Sequence, residues 1–415
     1  MSDSRAQFYD RQEVRGHADR ETAVFHALPG LIRHALDNAP GLAVHLAGVN
    51  PDGITSREAL ATLPVLRAAA IGPLQTVDPP FGGLVATPIG RLARIHPLPG
   101  GHYLPEGARI DYWRFARALF AAGFRRADTV LAAFGPTQEL TAAMVESGVR
   151  ALGCPLVPAA GLLADRLAAV AIDLGVGAFT GPVEVLAAML LAEPRRLGGA
   201  SGLVRALVVN EAVSAPAATL IAARGITTFR VWASPEIGLI AYETPAHDGL
   251  VVDEALIVEI VRPGSGAPVP TGQVGELVVT VFNPDYPLIR YATGQLAAIL
   301  PGESACGRTN LRLRGPLGEA DVAATVEGLH IQPRQLHDIA KRHREIGRVR
   351  LVLRDGEPGA GVILRCEAEG RPEGLGTAIA ETVHAFTGLR ADIELVAPGT
   401  LPDDGRIIDD QRGRA

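Results

Sequence analysis

An alternation of strand-like and helical stretches between residues 128 and 232 limits what this 415-residue chain can fold into. Short apolar runs of the kind that form buried strands recur there, and each is separated from the next by a helical stretch. The runs cover residues 128–134, 154–158, 178–182, 206–211 and 227–232. Strands that are joined through helices form parallel sheets with right-handed crossovers, so the pattern predicts an α/β fold.

The carboxyl ends of these strands form the predicted ligand-binding edge, because open parallel sheets bind their ligands there. The residues at three of these strand ends are Phe134, Gly135, Asn210, Glu211, Ala212 and Trp232. We expect these side chains to lie near a bound small molecule.

The stretch between Pro263 and Leu296 predicts a β-rich part of the chain. Glycines and prolines are packed too densely up to Gly272 for a helix or a long strand. The β-branched apolar run at residues 276–281 predicts a buried strand, and the chain becomes extended again at residues 288–291. Periodicity alone indicates two strands of an ordinary β subdomain.

Composition narrows the class of protein and of partner. An apolar content of 47% with 20% charged residues is typical of a globular protein, and the net charge of -6 argues against a nucleic-acid-binding face. The polar first 16 residues predict no signal peptide, and apolar runs such as residues 185–192 are too short to span a bilayer. The widely separated Cys154, Cys306 and Cys366 form neither a disulfide nor a metal-binding pattern. We therefore expect a cytoplasmic protein without a nucleic-acid or membrane partner.

The residue order in the β-rich stretch carries a family resemblance. Gly-x-x-Val-Pro-x-Gly-x-x-Gly-Glu-Leu at residues 266–277 is followed by Pro-Leu-Ile-Arg-Tyr-x-Thr-Gly-x-Leu at residues 287–296. The two motifs together resemble the second half of the adenylating core in AMP-forming acyl-CoA ligases, most closely the phenylacetate-CoA ligase branch. This resemblance extends over nearly the whole chain. It implies a large N-terminal adenylating domain at residues 1–312, with parallel sheets and a β subdomain, and a small α+β C-terminal lid domain at residues 313–415.

The same resemblance implies a nucleotide site. The loop at residues 209–211 looks like the one that packs on adenine. Residues 232–236, Trp-Ala-Ser-Pro-Glu, look like the aromatic-Gly-x-Ser/Thr-Glu motif, whose ring stacks on adenine and whose glutamate holds Mg²⁺. An arginine near the start of the lid binds the ribose in the family, and either Arg314 or Arg312 matches it. The implied nucleotide-binding residues are Asn210, Glu211, Ala212, Trp232, Ala233, Gln295 and Arg314, with Glu236 as the metal ligand.

Several positions depart from the family pattern. Gln295 replaces the aspartate that binds the ribose, and a glutamine has one acceptor oxygen and no charge. Pro235 replaces the hydroxyl residue of the aromatic motif. The loop expected at residues 96–107 stands where the family has its phosphate loop, but it is poor as such a loop, because it lacks serine and threonine and contains three prolines, which have no N–H group to donate. Arg406 stands where the family has a lysine that steadies charge on the carboxylate and the α-phosphate. The only lysine of the chain, Lys341, lies in a predicted lid helix.

Two functions stay open at this point. The first is an AMP-forming ligase that activates an aryl or small carboxylic acid as an acyl-adenylate, with ATP and Mg²⁺ as cofactors, coenzyme A as the implied acceptor, and Glu236 and Arg406 as catalytic residues. The second is a catalytically impaired or non-catalytic homologue that binds an acyl or aryl ligand or a partner enzyme, because the departures fall on catalytic motifs. Phe134 beside Gly135 suggests a ring-bearing acid as the ligand. The resemblance implies a homodimer.

Overall fold

The described part of the chain contains a large mixed sheet with its helices, followed by a smaller C-terminal sheet. The computed structural model describes residues 7–98, 101–193, 202–211, 213–320, 324–326, 329–355, 361–370, 372–402 and 404–412. The helices are α1 (His17–Asn38), α2 (Pro40–His45), α3 (Arg57–Ala61), α4 (Ala68–Val77), α5 (Phe115–Ala121), α6 (Glu139–Leu152), α7 (Ala164–Asp173), α8 (Val183–Ala192), α9 (Ala215–Ala223), α10 (Pro333–Arg342) and α11 (Leu375–Thr387). The strands are β1 (Leu66–Arg67), β2 (Arg94–Leu98), β3 (His102–Glu106), β4 (Val130–Ala132), β5 (Leu156–Pro158), β6 (Ala178–Thr180), β7 (Arg205–Val209), β8 (Thr227–Ser234), β9 (Gly238–Tyr242), β10 (Leu250–Val252), β11 (Leu256–Val261), β12 (Gly275–Val281), β13 (Tyr291–Leu300), β14 (Arg312–Arg314), β15 (Ala324–Val326), β16 (Leu329–Ile331), β17 (Ile346–Leu353), β18 (Val362–Ala368), β19 (Asp392–Val396) and β20 (Ile408–Asp410).

Parallel pairing organises one half of the large sheet. Strands β5, β4, β6, β7 and β8 are neighbours in that spatial order, and every adjacent pair among them is parallel. A helix joins each of these strands to the next along the chain, so the sequence-based prediction of an α/β fold is confirmed. From β8 onward the sheet continues through β9, β10, β14, β13, β12 and β11, all antiparallel to their neighbours.

Alternate residues of the parallel strands face opposite helical layers. Val130 and Ala132 of β4 pack with buried side chains of α5 and α6, whereas Leu131 between them packs with α7, α8 and α9. In β7, Leu207 faces the first layer, and its two neighbours in the strand face the second. This period of two is the expected side-chain alternation of a strand buried on both faces.

Strand β13 holds together the antiparallel half of the sheet. It pairs with β12 over its first part and with β14 through its last three residues, and β1 adds a parallel partner at its start. The segment after β14 also returns to this strand. Leu317 N donates a 2.8 Å hydrogen bond to Leu296 O, and Leu296 N donates a 2.7 Å bond to Gly318 O. The register of Gln295, next to Leu296, is therefore fixed from several directions.

The loop expected at residues 96–107 is wrong, because most of this stretch forms a β-hairpin. Strands β2 and β3 pair antiparallel from Arg94 opposite Glu106 to Leu98 opposite His102, and residues 99–101 connect them. The prolines that suggest a loop are tolerated because this is a two-stranded sheet, in which every strand has a free edge. His96 Nε2 lies 2.8 Å from Glu106 Oε2, so this pair faces the same side of the hairpin.

The amphipathic pattern of residues 111–124 predicts one helix, but α5 begins only at Phe115. Asp111 and Arg114 both have left-handed backbone angles, with φ of 53° and 65°, which interrupt a helix. Arg114 Nε donates a 2.8 Å bond to Asp253 Oδ1, and Asp111 Oδ2 accepts one of 3.0 Å from Ala116 N. These contacts stabilise the turn that precedes α5.

The C-terminal part has a sheet and a core of its own. The strand order is β19–β18–β17–β20, and the cluster of buried apolar side chains includes members of α10, α11 and the hairpin β15–β16. This agrees with the α+β character predicted for the lid. The boundary after residue 312 stays a prediction, and we note that β14 pairs within the large sheet.

Two further features concern the helices and the cysteines. Among the described residues, none of the helices combines the length and the apolar character needed to cross a membrane. The three cysteines are unpaired, and burial raises the pKa of Cys154 to about 11 and that of Cys366 to about 12. These two thiols are therefore protonated at neutral pH.

Candidate nucleotide site

The end of β8 carries Trp232 and Ala233 and turns directly into β9. A bulge between these two residues interrupts the pairing of β8 with β9. Beyond the strand end, Ser234 Oγ donates a 3.2 Å hydrogen bond to Glu236 Oε2 and accepts one of 3.2 Å from Ile237 N. The turn therefore holds the carboxyl group of Glu236 beside the strand end.

Asn210 extends the pairing of β7 with β8 beyond the end of β7. Its backbone is left-handed, with φ of 57°, and its backbone N donates a 2.8 Å bond to Val231 O. Its side-chain Nδ2 donates to Ala233 O and its Oδ1 accepts from Ala233 N, both at 2.8 Å. A small residue, which the family has here, could not make this pair of bonds, so Asn210 fixes the position of Ala233 in this chain.

Glu211 is tied to the start of a helix. Its Oε2 accepts a 2.8 Å hydrogen bond from Val183 N, the first residue of α8. A carboxylate at this place satisfies a free N–H group and interacts favourably with the helix dipole. Ala212, the third predicted residue of this loop, lies outside the described residues.

Trp232 and Gln295 meet across the sheet from β8 and β13. Trp232 Nε1 donates a 2.8 Å hydrogen bond to Gln295 Oε1, and the tryptophan is only 1% exposed. Gly315 approaches the ring so closely that a Cβ at that position would lie 2.8 Å from Trp232 Cζ3. The structure thus brings two predicted nucleotide-binding residues into contact, with the indole covered and the acceptor oxygen of Gln295 occupied.

Of the two arginines considered for the ribose, Arg314 is the accessible one. It ends β14, is exposed, and pairs in the sheet with Ala298, three residues beyond Gln295 on β13. Its guanidinium makes no salt bridge to any residue that the structure describes. Arg312 is buried, and its guanidinium bonds to Asp248 and to the carbonyl of Pro301. Arg314 therefore remains the candidate.

Arg406 reaches the same region from the C-terminal part of the chain. The preceding Gly405 packs so closely that an added Cβ would lie 2.9 Å from Leu296 Cδ2 and 3.3 Å from Val274 Cγ1. Arg406 is exposed, and its Nη2 lies 3.7 Å from the position of a Cβ on Gly318. Leu296 is the neighbour of Gln295, which stands where the family has its ribose-binding aspartate. The backbone before Arg406 therefore lies close to this position.

The carboxyl group of Glu236 lies in a desolvated and partly compensated environment. Burial raises its pKa, whereas hydrogen bonds from Ser234 and Tyr291 and the charge of His102 act in the opposite direction. Within the described ranges, no group of three or more His, Cys, Asp or Glu side chains could hold a metal ion. A single protein carboxylate nevertheless suits Mg²⁺, which often takes one or two carboxylates and completes its shell with water and substrate phosphates.

Phe134 and Gly135 lie apart from these residues. Phe134 is 3% exposed and packs in the apolar cluster that contains Met144 and Leu239. Gly135 N donates a 3.1 Å bond to Gln138 Oε1 at the start of the next helical turn. The structure does not place either residue beside the Trp232–Gln295 pair, and their role in a substrate pocket stays a prediction.

Sequence reasoning missed the residues that surround Glu236. Tyr291 bonds to this carboxyl group, and burial raises the pKa of Tyr291 well above its ordinary value. Tyr286 is buried, and its hydroxyl group has no hydrogen-bond partner among the described residues. Tyr291 belongs to the Pro-Leu-Ile-Arg-Tyr motif, so its position in that motif was the available signal. His102 is part of the hairpin that the sequence suggested was a loop.

Comparison with known proteins gives consistent relatives, although no family model matches the chain. The chain is 25% identical over 394 residues to phenylacetate-coenzyme A ligase of Thermus thermophilus, which covers 86% of this chain and 87% of the relative. It is 26% identical over 400 residues to the protein of the same name from Aromatoleum evansii, with 88% of each covered. The chain is thus similar, over almost nine-tenths of its length, to proteins named phenylacetate-coenzyme A ligase. The resemblance carried by the motifs between Pro263 and Leu296 is thereby confirmed.

The fold of this ligase-like chain also matches a solved structure. The crystal structure of 2-hydroxyisobutyryl-CoA ligase in an open conformation, in complex with 2-HIB-AMP and CoA, superimposes with a TM-score of 0.71 at 23% identity. The match covers 97% of this chain and 93% of the other. The agreement supports the predicted architecture, a large domain with parallel strands and a smaller C-terminal α+β part.

Proposed function

We propose that this chain is an AMP-forming ligase that activates an aryl or other small carboxylic acid. The observation that carries the proposal is the convergence on β13 of residues from distant parts of the chain. Trp232 bonds to Gln295, Arg314 pairs three residues further along the strand, and Arg406 lies against the segment bonded to it. Relatives named phenylacetate-CoA ligase, similar over almost nine-tenths of the chain, support the same type of reaction.

The proposed reaction has two displacement steps. A carboxylate oxygen of the acid attacks the α-phosphorus of ATP, the bond to the bridging oxygen breaks, and pyrophosphate leaves with the bonding electrons. The thiol sulfur of coenzyme A then attacks the acyl carbon, its proton passes to solvent, and AMP leaves with the former carboxylate oxygen. Neither step changes an oxidation state, so no further reactant is needed.

The exposed cations would stabilise the charge that develops in the first step. Arg406 is suited to the negative charge shared by the carboxylate and the α-phosphate, because a guanidinium donates two parallel bonds to oxyanions. Arg314 is suited to the ribose or a phosphate. Gln295 has its oxygen occupied by Trp232, so its amide Nε2 is the group left to donate to a ribose hydroxyl oxygen.

Glu236 is the residue that would hold Mg²⁺, together with oxygens of the triphosphate. When bound, the ion neutralises phosphate charge and polarises the bonds at phosphorus. The raised pKa of Glu236 agrees with a desolvated carboxyl group that becomes more favourable to ionise once a cation is adjacent. Ser234 and Tyr291 keep this carboxyl group oriented by hydrogen bonds.

A second candidate function, a non-catalytic homologue that binds an acyl or aryl ligand, is favoured by the hairpin β2–β3. Its ladder takes up backbone N–H groups that a phosphate loop would offer to ATP. The burial of Trp232 also favours this second candidate, since adenine cannot stack on an indole that is 1% exposed. Acid-dependent turnover separates the two candidates.

The test measures pyrophosphate release from ATP and Mg²⁺ by the purified full chain, with and without phenylacetate and a panel of small carboxylic acids. We expect release that depends on the acid, and a fall of about 10²–10³-fold in turnover for Arg406→Ala, the usual cost of removing a group that stabilises the transition state. Glu236→Gln should lose turnover as well, because the neutral amide cannot bind the cation. Arg33→Ala removes an exposed arginine paired with Asp52 and serves as the control.

Binding of ATP that AMP displaces would show a working nucleotide site even if the correct acid is absent from the panel. Absence of both acid-dependent release and AMP-displaceable binding would sink the ligase proposal. The non-catalytic homologue would then be the better description, and binding of the acids alone should be measured by calorimetry.

A further inference from the structure

A cavity lies near the amino ends of the parallel strands, away from the Trp232–Gln295 pair. It encloses about 440 Å³, and its walls come from the end of α5, the first half of β8, the residues after β9 and residues 305–308. This volume lies within the range of small-molecule sites, which is roughly 300–1,000 Å³. We call it the Phe229 cavity and define it by Phe120, Arg125, Phe229, Cys306 and Arg308.

The large sheet separates the Phe229 cavity from the candidate nucleotide site. Phe229 and Trp232 lie three residues apart on β8, so their side chains face opposite sides of the sheet. Phe229 packs in the apolar cluster that contains Phe115 of α5, whereas Trp232 packs in the cluster that contains Tyr291 of β13. No described residue of the candidate nucleotide site lines the cavity. A ligand bound here would therefore not occupy the nucleotide site.

Most of the wall of the Phe229 cavity is apolar. Phe120 and Phe229 contribute aromatic rings, and the smaller apolar side chains are those of Ala121, Ala122, Pro245, Ala246 and Ala305. The ring of His247 stacks on Phe229, with the two centroids 5.3 Å apart and an angle of 18° between the planes. This contact fixes the phenyl ring. Fixed aromatic rings and small apolar side chains suit a flat ligand that contains a ring.

Two guanidinium groups, those of Arg125 and Arg308, line the same cavity, and no carboxylate does so among the described residues. The guanidinium carbon of Arg125 lies 3.7 Å from the centroid of the Phe120 ring, and its Nη1 donates 2.8 Å bonds to two backbone carbonyls at the end of α5. Its position is therefore fixed. Burial lowers the pKa of this group, and the charges of Arg205 and Arg308 lower it further, against the opposing charge of Asp128. An anion in the cavity would reduce this repulsion.

We propose that the Phe229 cavity binds a small aromatic carboxylate. The apolar walls would hold the ring, and the guanidinium groups would hold the carboxylate, because an arginine donates two parallel bonds to such a group. Apolar side chains outnumber the two guanidinium groups, which favours a ligand with one ring and one charge over a polyanion. This site goes beyond the proposed ligase function and does not depend on it.

Cys306 allows occupancy of the Phe229 cavity to be measured. Burial raises the pKa of its thiol, but hydrogen bonds with Ser304 and Thr244 outweigh this effect, so that the pKa lies below its ordinary value. The pKa is instead raised to about 11 for Cys154 and to about 12 for Cys366. Because the thiolate is the reactive form, iodoacetamide should alkylate Cys306 first. A ligand in the cavity should slow this reaction.

Alkylation of the full chain by iodoacetamide, followed at Cys306 by mass spectrometry, tests the proposal with phenylacetate as the probe. We expect phenylacetate to slow the reaction in a saturable way. Its midpoint concentration should be at least about 10-fold lower than that of neutral phenylacetamide, equivalent to ~1.4 kcal/mol. Acetate has the charge but lacks the ring, so it should also protect Cys306 less well than phenylacetate.

Two variants test the charge and the location of the site. Arg125→Gln removes one of the two charges and should raise the midpoint for phenylacetate by about 10-fold. Ala305→Trp fills the cavity from an exposed position, so phenylacetate should no longer change the alkylation rate. Ala305→Ser leaves the cavity open and should behave like the wild type. Thermal unfolding checks that each variant is folded.

Three results would overturn the proposal. They are no saturable protection of Cys306 in the wild type, equal protection by phenylacetate and phenylacetamide, and protection that persists in Ala305→Trp. Protection requires no turnover. A chain that releases no pyrophosphate can still show it, so failure of the ligase proposal and failure of this one can be told apart.

Discussion

Arg290, inside the Pro-Leu-Ile-Arg-Tyr motif, is 1% exposed and has a left-handed backbone with φ of 47°. Its Nε donates a 3.0 Å bond to Glu259 Oε2, and its other nitrogens donate to the carbonyls of Ala61, Leu63 and Gly266. The guanidinium therefore ties the segment before β1 to the β-rich part of the sheet. Arg290 therefore has a structural role, although it belongs to a motif that resembles one of the ligase family.

Replacement of Arg290 by methionine should destabilise the protein by about 3–5 kcal/mol, because it leaves the buried carboxylate of Glu259 without its counter-charge. Urea unfolding monitored by tryptophan fluorescence measures the loss. Arg365→Met is the matched control, since that arginine pairs with Glu394 at the surface and such pairs contribute about 0–1 kcal/mol. Equal losses in the two variants would contradict the structural role of Arg290.

Arg406 allows a prediction about catalysis at the same scale. The family lysine offers a compact ammonium, whereas a guanidinium spreads its charge over a planar fork. If the chain forms acyl-adenylates, Arg406→Lys should raise the rate of acid-dependent pyrophosphate release above that of the wild type. Arg406→Gln, which lacks the charge, should lower it. A lysine variant as slow as the glutamine variant would contradict the expected advantage of the ammonium, and a glutamine variant as fast as the wild type would show that Arg406 has no part in the step.

At the scale of an element, the turn before α5 buries the carboxyl group of Asp111. Asp111 has one carboxyl oxygen bonded to Ala116 N and another, Oδ1, that is buried without a partner among the described residues. Burial raises the pKa of this group from 3.8 to about 7. At a pH between 3.8 and about 7, the carboxyl group of Asp111 is therefore protonated in the folded state and ionised in the unfolded chain.

The free energy of unfolding should consequently fall as the pH rises from about 4 to about 7, because the folded protein binds more protons than the unfolded chain in that window. Asp111→Asn cannot ionise, so the difference in stability between wild type and variant should shrink or reverse toward pH 7. Unfolding in urea at several pH values measures this difference. A difference that does not change with pH would rule out the raised pKa.

Elements whose signals agree were predictable from the sequence, and elements with conflicting signals were not. The parallel strands combine apolar runs with intervening helices, and both signals favour the same sheet. The hairpin β2–β3 was missed because Pro97 and Pro105 suggest a loop locally, although their places in a two-stranded sheet tolerate proline. Within the site, Trp232 and Glu236 were found by motif, but the bond from Trp232 to Gln295 depends on strand order that the sequence does not contain.

The whole molecule contains separate apolar cores. Among the described residues, the core of the C-terminal part draws its side chains from residues after 323, and the four clusters around the large sheet draw theirs from residues before 314. Between them lies a cleft lined largely by polar and charged side chains, such as Arg262 and Arg348. Cores that share few apolar contacts unfold with limited cooperativity, as domains with polar interfaces do.

Calorimetric unfolding should therefore show two transitions, the smaller of which belongs to the C-terminal part. A chain that ends at residue 320 should retain only the larger transition, because it keeps β14 and the segment bonded to β13. One transition in the full chain, lost entirely on truncation, would show instead that the two cores fold as a unit.

The connection between β2 and β3 is a place where the chain can accept additional residues without a change in the large sheet. Strand β13 is held by β1, β12, β14 and residues 317–320, so an insertion there would turn Gln295 to the other face of the sheet. The connection between β2 and β3 needs only to join the ends of a two-stranded ladder, and hairpin tips accept added residues readily. A longer segment rich in glycine and serine could enter at this tip while the paired strands hold its two ends. A single insertion between β2 and β3 would therefore be enough to add a phosphate-binding loop, and the strands around β13 would not have to change.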